Sequence, residues 1–343
     1  MSYSASGLST ITVSARIGAM VVHAAAARGV APERLCELAG FDLAIAKDPD
    51  ARIPLSVETQ LWDEAARLSG DDAFGLHTAS GIQPGVFDVL DYACRTAPSL
   101  RVSLERLVRY NRLEHDVAVF SLDVGDSIAR LEHRFRLPGV EPSRQAAEFT
   151  LASIIVIGSQ IVGDSVRPRA VELRHSAPQE TTEHLRAFGV EPRFGCEANV
   201  LQLEREVLER PAPNADPALS RIIERQAEAL LAARPEPAES IADRVRRLLV
   251  ASLGEGDITL DGMADKLRMS ERTLQRRLAD EGLSFDDIVE QQRKQLAQRY
   301  LADAKLAVSE VAYLLGYSEP SAFHRAFKRW TGMTPKEMRS RAA

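Results

Sequence analysis

The spacing of apolar residues changes character twice along this chain. Over residues 9–100 it is mainly helical. Residues 17–27 repeat with a period near 3.6. Residues 56–68 do the same, opening on Ser56 as an N-cap and stopping before Ser69-Gly70. Residues 99–111 predict a further amphipathic helix. From about residue 116 the period falls to two. Residues 117–124 and 128–137 alternate, and Gly125-Asp126 between them marks a hairpin turn. Residues 146–162 are apolar and predict a buried helix. A strand over 169–175, a helix over 181–188 and short strands at 193–194 and 200–203 follow. Residues 217–234 predict a helix with Leu219, Ile222, Ile223, Leu230 and Leu231 on one side. These elements make an α+β domain over residues 9–212. A helix and a proline-rich, charged linker fill 213–240, where Ser240 and Asp243 form a capping box that opens the next helix.

Past the linker the pattern is all helical and repeats itself. Ala264, Leu267 and Ser270 recur as Ala312, Leu315 and Ser318, a shift of 48. Leu274 and Leu278 return as Phe323 and Phe327 at 49, and Gly282 as Gly332 at 50. Each copy is a short helix, a tight turn and a Ser-capped helix rich in Arg and Lys. That is a helix-turn-helix, whose second helix can enter a DNA major groove.

In the first copy Thr259 caps the scaffold helix, whose inward stripe is Leu260, Met263, Ala264 and Leu267. Ser270 caps the second helix, Leu274 and Leu278 point inward, and Arg272, Thr273, Gln275, Arg276 and Arg277 point out. Arg and Gln pair bidentately with guanine and adenine edges, each pair contributing about 1–3 kcal/mol of discrimination. Spacing puts Arg272, Gln275 and Arg276 toward a groove and Arg277 toward phosphate. Ser284 and Asp287 form a capping box for a long helix to about Leu301. That helix would hold the copies apart, with Arg293, Lys294 and Arg299 on a solvated face. In the second copy Val308, Val311, Ala312 and Leu315 pack inward, Gly316 makes the turn, Ser318 caps, and Pro320 sits in the first turn. Phe323 and Phe327 anchor it. Ser321, His324 and Arg325 face the groove, and Lys328 and Arg329 the backbone.

Charge sharpens this picture. The whole chain of 343 residues carries a formal net charge of −6, which alone does not suggest a nucleic-acid binder. Residues 241–343, however, hold 18 Lys and Arg against 15 Asp and Glu, while the remainder holds 25 against 34. Only the C-terminal part is suited to phosphate. No apolar run reaches the ~18 residues that span a membrane, and no signal peptide is visible, so a cytoplasmic location is expected. Cys36, Cys94 and Cys196 are far apart and in no CxxC pattern, which fits reduced thiols. No metal site and no cofactor are expected.

The repeat resembles the double helix-turn-helix of the AraC/XylS family of bacterial transcription regulators, on residues 269–278 and 311–335 within a match over 241–341. Tyr317 stands where Phe is usual and Ala307 where a cap is usual. The resemblance implies base contacts from Arg272, Gln275, Arg276, Ser321, His324 and Arg325. The N-terminal part is similar to the arabinose-binding-like, ornithine-utilisation type of sensor, on residues 26–35, 39–41, 171–178, 193–195 and 208–211. It implies effector binding and dimerisation in residues 9–212. The expected protein is a DNA-binding regulator, an activator as most of the family are, with promoter DNA, RNA polymerase, a small-molecule effector and a second copy of itself as partners.

Within the sensor the residues leave alternatives open. His133 shares a strand face with Ala129, Leu131, Phe135 and Leu137. It could line an effector pocket, although a hydrogen-bonded core histidine is commoner. Residues 110–115, Tyr110-Asn-Arg-Leu-Glu-His115, end a helix and are equally ambiguous, with Asn111 and Arg112 as further effector candidates. Arg130, Arg134 and Arg136 share the opposite face. The helix over 217–234 could pair with its mate in a dimer or pack on its own domain. Two other functions compete: a DNA-bound protein whose N-terminal domain contacts only other proteins, and a DNA-repair enzyme, which would need an activated thiolate that no cysteine motif here supplies.

Overall fold

The computed structural model describes residues 11–136, 140–213, 215–234, 241–252, 259–280, 283–302, 306–317, 319–331 and 333–342. Leu137, Ser240, Gly282, Ser318 and Gly332, and the side chains of Asp243 and Arg299, lie outside the described residues. The chain divides between residues 235 and 236 into two compact units.

In chain order the first unit contains β1 (Thr12–Ser14), α1 (Ala15–Ala26), α2 (Pro32–Ala39), β2 (Arg52–Pro54), α3 (Leu55–Ser69), α4 (Phe74–Ser80), α5 (Asp88–Arg95) and α6 (Leu100–Tyr110). Then come β3 (Ala118–Val124), β4 (Ile128–Phe135), α7 (Arg144–Val162), β5 (Ala170–Glu172), α8 (Thr182–Phe188), β6 (Asn199–Glu204), α9 (Arg205–Leu208) and α10 (Pro217–Ala233). The α+β class is as expected. The ribbon of β1 and β2 is not foreshadowed, because three residues are too few to show a period of two. Arg52 fixes it by bonding Asp116 at 2.7 Å and the Thr12 carbonyl at 2.9 Å.

The second sheet has the order β3-β4-β6-β5 and is antiparallel throughout. Its hairpin closes where Gly125 N–H donates to the Ile128 carbonyl at 2.9 Å. The alternation predicted for β4 is present: Ala129, Leu131, His133 and Phe135 are the buried face. The strand expected over 169–175 is only Ala170–Glu172, and Arg193 joins it as an isolated parallel bridge to Glu172. Ser56 is no cap. Pro54 takes that place, and Ser56 lies inside the first turn of α3. Ser99 does cap α6, accepting the Val102 N–H.

Helix α7 is long and apolar enough to cross a membrane by length and composition, yet 67% of its apolar window is buried inside this unit. It packs on α3, α4, α6 and β6 as the core helix. The approach of α4 is close enough that a Cβ on Gly75 would lie 2.1 Å from the Gln145 carbonyl oxygen. At α10 the structure corrects the expected apolar stripe. Ile223, Leu230 and Leu231 do pack inward, together with Ser220 and Ala227, but Leu219 and Ile222 point outward, 44% and 61% exposed. Polar contacts set this rotation. Arg106 reaches Ser220 at 2.9 Å, and Tyr110 and Arg109 both hold Glu228.

The second unit contains α11 (Ile241–Ser252), α12 (Leu260–Lys266), α13 (Glu271–Asp280), α14 (Phe285–Ala302), α15 (Val308–Leu314), α16 (Pro320–Thr331) and α17 (Pro335–Ala342). It has two apolar cores, one per copy of the repeat. The first joins Val245, Leu249, Met263, Leu274 and Leu278, and the second joins Val311, Leu315, Phe323 and Phe327. Helix α14 serves both, giving Phe285, Ile288 and Val289 to one and Ala297 and Leu301 to the other.

Gly75→Ala should cost roughly 3 kcal/mol or more, because backbone must move to admit the methyl group. Gly81→Ala, where the nearest atom is 3.7 Å away, should be nearly neutral, and urea denaturation of both variants separates them. His77 links α4 to α8 through Asp71 at 2.8 Å and Glu183 at 3.1 Å. Burial alone would lower its pKa, but bonds to the two carboxylates raise it above the usual 6.5. The bridge therefore stabilises fully below about pH 6.5 and loses its contribution as pH rises through the folded-state value. The melting-temperature deficit of His77→Gln should be largest near pH 6 and shrink by about pH 8. A deficit that grew with pH would contradict this bridge.

Candidate nucleic-acid interface and ligand cavity

The two copies of the repeat turn their chains in the same way. In the first, Arg268 N–H donates to Asp265 O at 2.9 Å and Met269 N–H to Ala264 O at 3.0 Å. In the second, Gly316 donates to Tyr313 O at 2.9 Å and Tyr317 to Ala312 O at 3.0 Å. These bonds correspond at the shift of 48. Both turns need a left-handed residue, Gly316 with φ 75° and Arg268 with φ 55°. Only the second copy uses the residue that adopts this conformation without strain.

The caps follow the same logic. Thr259 accepts the Gly262 N–H at 3.1 Å, and Ser270 accepts that of Thr273 at 3.3 Å. Ser284 and Asp287 bond each other's backbone N–H, as the capping box predicts. At Ala307, which has no acceptor to offer, the Glu310 carboxylate still takes the Ala307 N–H at 2.6 Å.

With Leu274 and Leu278 buried in α13, Arg272, Gln275, Arg276 and Arg277 are exposed. Thr273 is half-buried, and its hydroxyl lies 2.9 Å from that of Ser270. In α16, Phe323 and Phe327 are buried and Ser321, His324, Arg325, Lys328 and Arg329 are exposed. Ser321 donates to Glu319 at 3.2 Å, and Arg329 pairs with Glu290 of α14 at 3.1 Å. Arg293 departs from the expected solvated face. Its Nε donates to the Leu315 carbonyl at 3.0 Å, and its guanidinium lies 4.9 Å from the centre of the Tyr317 ring. Tyr317 itself packs on Phe323 and Trp330.

The first unit holds a partly open cavity of about 110 Å³ between α3, α5, α6, α7 and the face of β3 and β4. Its walls are apolar and aromatic, including Trp62, Phe87, Leu104, Phe120 and Phe149. His133 and Asn111 line it. Asn111 donates to the Ala118 carbonyl at 2.8 Å. His133 stacks on Phe120, and its Nδ1 has no hydrogen-bond partner, unlike the bonded core histidine that was the commoner expectation. Burial, and then His115, push its pKa down to about 3, so the ring is neutral. Arg112 is not among the lining residues. It donates instead to the carbonyls of Leu231 and Arg234, tying down the end of α10.

Three lining groups were not named as effector candidates from the sequence, although two of them end the ambiguous stretch 110–115. Glu58 sits on the apolar face of α3, accepting the Trp62 indole N–H at 3.3 Å. Glu114 is buried, its Oε2 is unpartnered, and burial pushes its pKa up to about 7. His115 is buried with Nε2 unpartnered. A Glu four residues before a Trp within an apolar stripe was the one available signal. Glu114 and His115 are placed by a short 3₁₀ turn (Asn111–Leu113) that has no period to read.

Residues 29–212 match the family described as the arabinose-binding domain of AraC transcription regulator, N-terminal, and residues 263–341 match a helix-turn-helix domain. The ornithine utilization regulator of Pseudomonas aeruginosa is 31% identical over 91% of this chain and 91% of its own length. The regulator VirS of Mycobacterium tuberculosis is 34% identical over 80% of this chain and 81% of its own. This chain belongs to the AraC family of transcription regulators.

As an AraC-family protein it is a DNA-binding transcription regulator, and the repair-enzyme alternative falls. The cysteines agree: Cys94 is buried, and burial pushes its thiol up to about 12, the reverse of an activated nucleophile. Strain at the first turn of this AraC-family domain is removable. Arg268→Gly should raise its stability by about 0.5–1 kcal/mol, while Gly316→Ala should lower it by about 1 kcal/mol. Guanidinium unfolding of the two variants would show opposite signs, and a destabilising Arg268→Gly would reject the shared turn.

Proposed function

We propose that this regulator reads DNA with α13 and α16 and is switched by a small molecule held in the N-terminal cavity. Arg272, Gln275 and Arg276 of the first helix, and Ser321, His324 and Arg325 of the second, read base edges. Arg277, Lys328 and Arg329 bond phosphates, and Thr273 supports the first turn of α13. Each protomer then covers about 17–20 bp through two grooves one turn apart. The regulator works in the cytoplasm as a homodimer on promoter DNA, activating RNA polymerase. The outward Leu219 and Ile222 of α10 support dimerisation.

The observation that carries the switch is a shared wall. Phe87, Leu90, Cys94 and Leu107 line the cavity and also belong to the cluster that packs against Ile223, Ala227 and Leu230 of α10. A ligand that shifts α5 or α6 therefore bears on the helix that precedes the linker. Such a ligand acts only through different affinities for two arrangements of these helices.

The test is footprinting on native DNA with an Arg276→Ala/Arg325→Ala control. A few sharp sites, lost in the double variant, are expected, with each lost base contact weakening binding by about 1–3 kcal/mol at its own position. Lys328→Ala should weaken all sequences alike and lower the salt slope by roughly one counterion. A diffuse signal that the double variant leaves unchanged would remove these helices as the readers.

A further inference from the structure

The cavity carries enough chemistry to say what kind of molecule it takes. Three buried polar atoms around it lack partners: His115 Nε2, His133 Nδ1 and Glu114 Oε2. Their residues are 7%, 2% and 7% exposed. Orphaned polar atoms at this depth are costly, and each calls for a partner that the protein itself does not supply.

The state of His115 can be read from its surroundings. Its Nδ1 accepts the N–H groups of Val117 at 3.3 Å and Ala118 at 3.1 Å. A ring nitrogen that accepts carries no hydrogen, so the hydrogen is on Nε2. That donor lies 3.5 Å from Glu58 Oε2, beyond the length of an N–H···O hydrogen bond. The opposite carboxyl oxygen, Oε1, is the one engaged by Trp62. One unpartnered donor and one oxygen free of that indole bond therefore stand side by side at the polar end of an apolar chamber.

We propose, building on the effector reading above, that the ligand is a small, uncharged alcohol or phenol. Its hydroxyl oxygen accepts from His115 Nε2–H while its hydrogen goes to Glu58. Other classes fit less well. No Lys or Arg lines the cavity among the described residues, which leaves a carboxylate or phosphate without a counter-charge. An ammonium group would meet the His115 N–H head-on. Asp91 offers such a cation little, since Arg95 and the Gly85 N–H already hold it. A sugar would leave most of its hydroxyls against Trp62, Phe149 and Leu104. The volume of about 110 Å³ is below the ~150 Å³ of an engineered cavity that holds benzene. The ligand is accordingly small, on the order of the size of phenol.

The experiment uses the full chain and calorimetric titration with phenol, cyclohexanol, benzene, benzoate, benzylamine and arabinose, followed by DNA affinity with each probe at saturation. Phenol and cyclohexanol should bind, benzene about tenfold more weakly, and the other three not at matching concentrations. Glu58→Gln keeps an acceptor for Trp62. It should weaken phenol about tenfold while leaving benzene unchanged, so benzene reports that the cavity is intact. Equal loss of phenol and benzene in that variant would overturn the hydroxyl assignment. Displacement of phenol by benzoate, benzylamine or arabinose would overturn the ligand class. Should one of those three displace phenol and change DNA affinity, effector control stands and the class falls. Should phenol bind as described with DNA affinity unmoved, the class stands and effector control falls.

Discussion

Everything in the DNA-reading half depends on α14 belonging to two cores at once. Its first turns are packed with Leu274 and Leu278, its last with Phe323 and Phe327. Those two pairs also determine which faces of α13 and α16 are exposed. One continuous helix of 18 residues, about 27 Å long, therefore fixes both readers. Arg293 and Glu290 add to this from mid-helix, holding the Leu315 carbonyl and Arg329. A rigid spacer converts two modest surfaces into one recognition element, since neither reader is free to find its own register.

In the sensor half the governing constraint is the cost of buried polarity. Most such groups there are matched, as where Arg52, Thr12 and Asp116 lock the small ribbon or Arg106 joins α6 to α10. Three polar atoms at the cavity are not: His115 Nε2, His133 Nδ1 and Glu114 Oε2. Burial drives two of the titratable groups that line it toward neutrality, Glu114 upward and His133 downward. Those two groups therefore favour a ligand that does not place a charge beside them.

The helical half was legible because every feature in it repeats. A shift of 48 in Ala, Leu and Ser reports identical turns, and the apolar spacing located both exposed faces. What failed were single residues whose partners are distant in sequence. Arg293 looked like a solvated charge because Leu315 and Tyr317 are 22 and more residues away. Leu219 and Ile222 looked inward because side-chain spacing gives a face but not its rotation. Here Arg106 and Tyr110, more than a hundred residues earlier, decide that rotation. In the cavity His133 and Asn111 were visible on a strand face and a helix end. Glu58 comes from α3, and Glu114 and His115 from the turn after α6, two places that only the tertiary fold brings together.

The two copies share a backbone plan but not a surface chemistry, and this bears on how they divide the work. The first presents Arg272, Gln275 and Arg276 on one exposed face. The second presents Ser321 tied to Glu319, His324, and a single guanidinium, Arg325. Glu319 also places negative charge at the end of α16 that would approach the phosphates. Bidentate side chains discriminate bases more strongly than hydroxyl or imidazole groups. On the reading proposed above, the first helix would set the sequence, while the second, packed on the same α14, would contribute anchoring and a weaker preference. The strain at Arg268 falls in the same copy, next to the residues with the most exacting geometry.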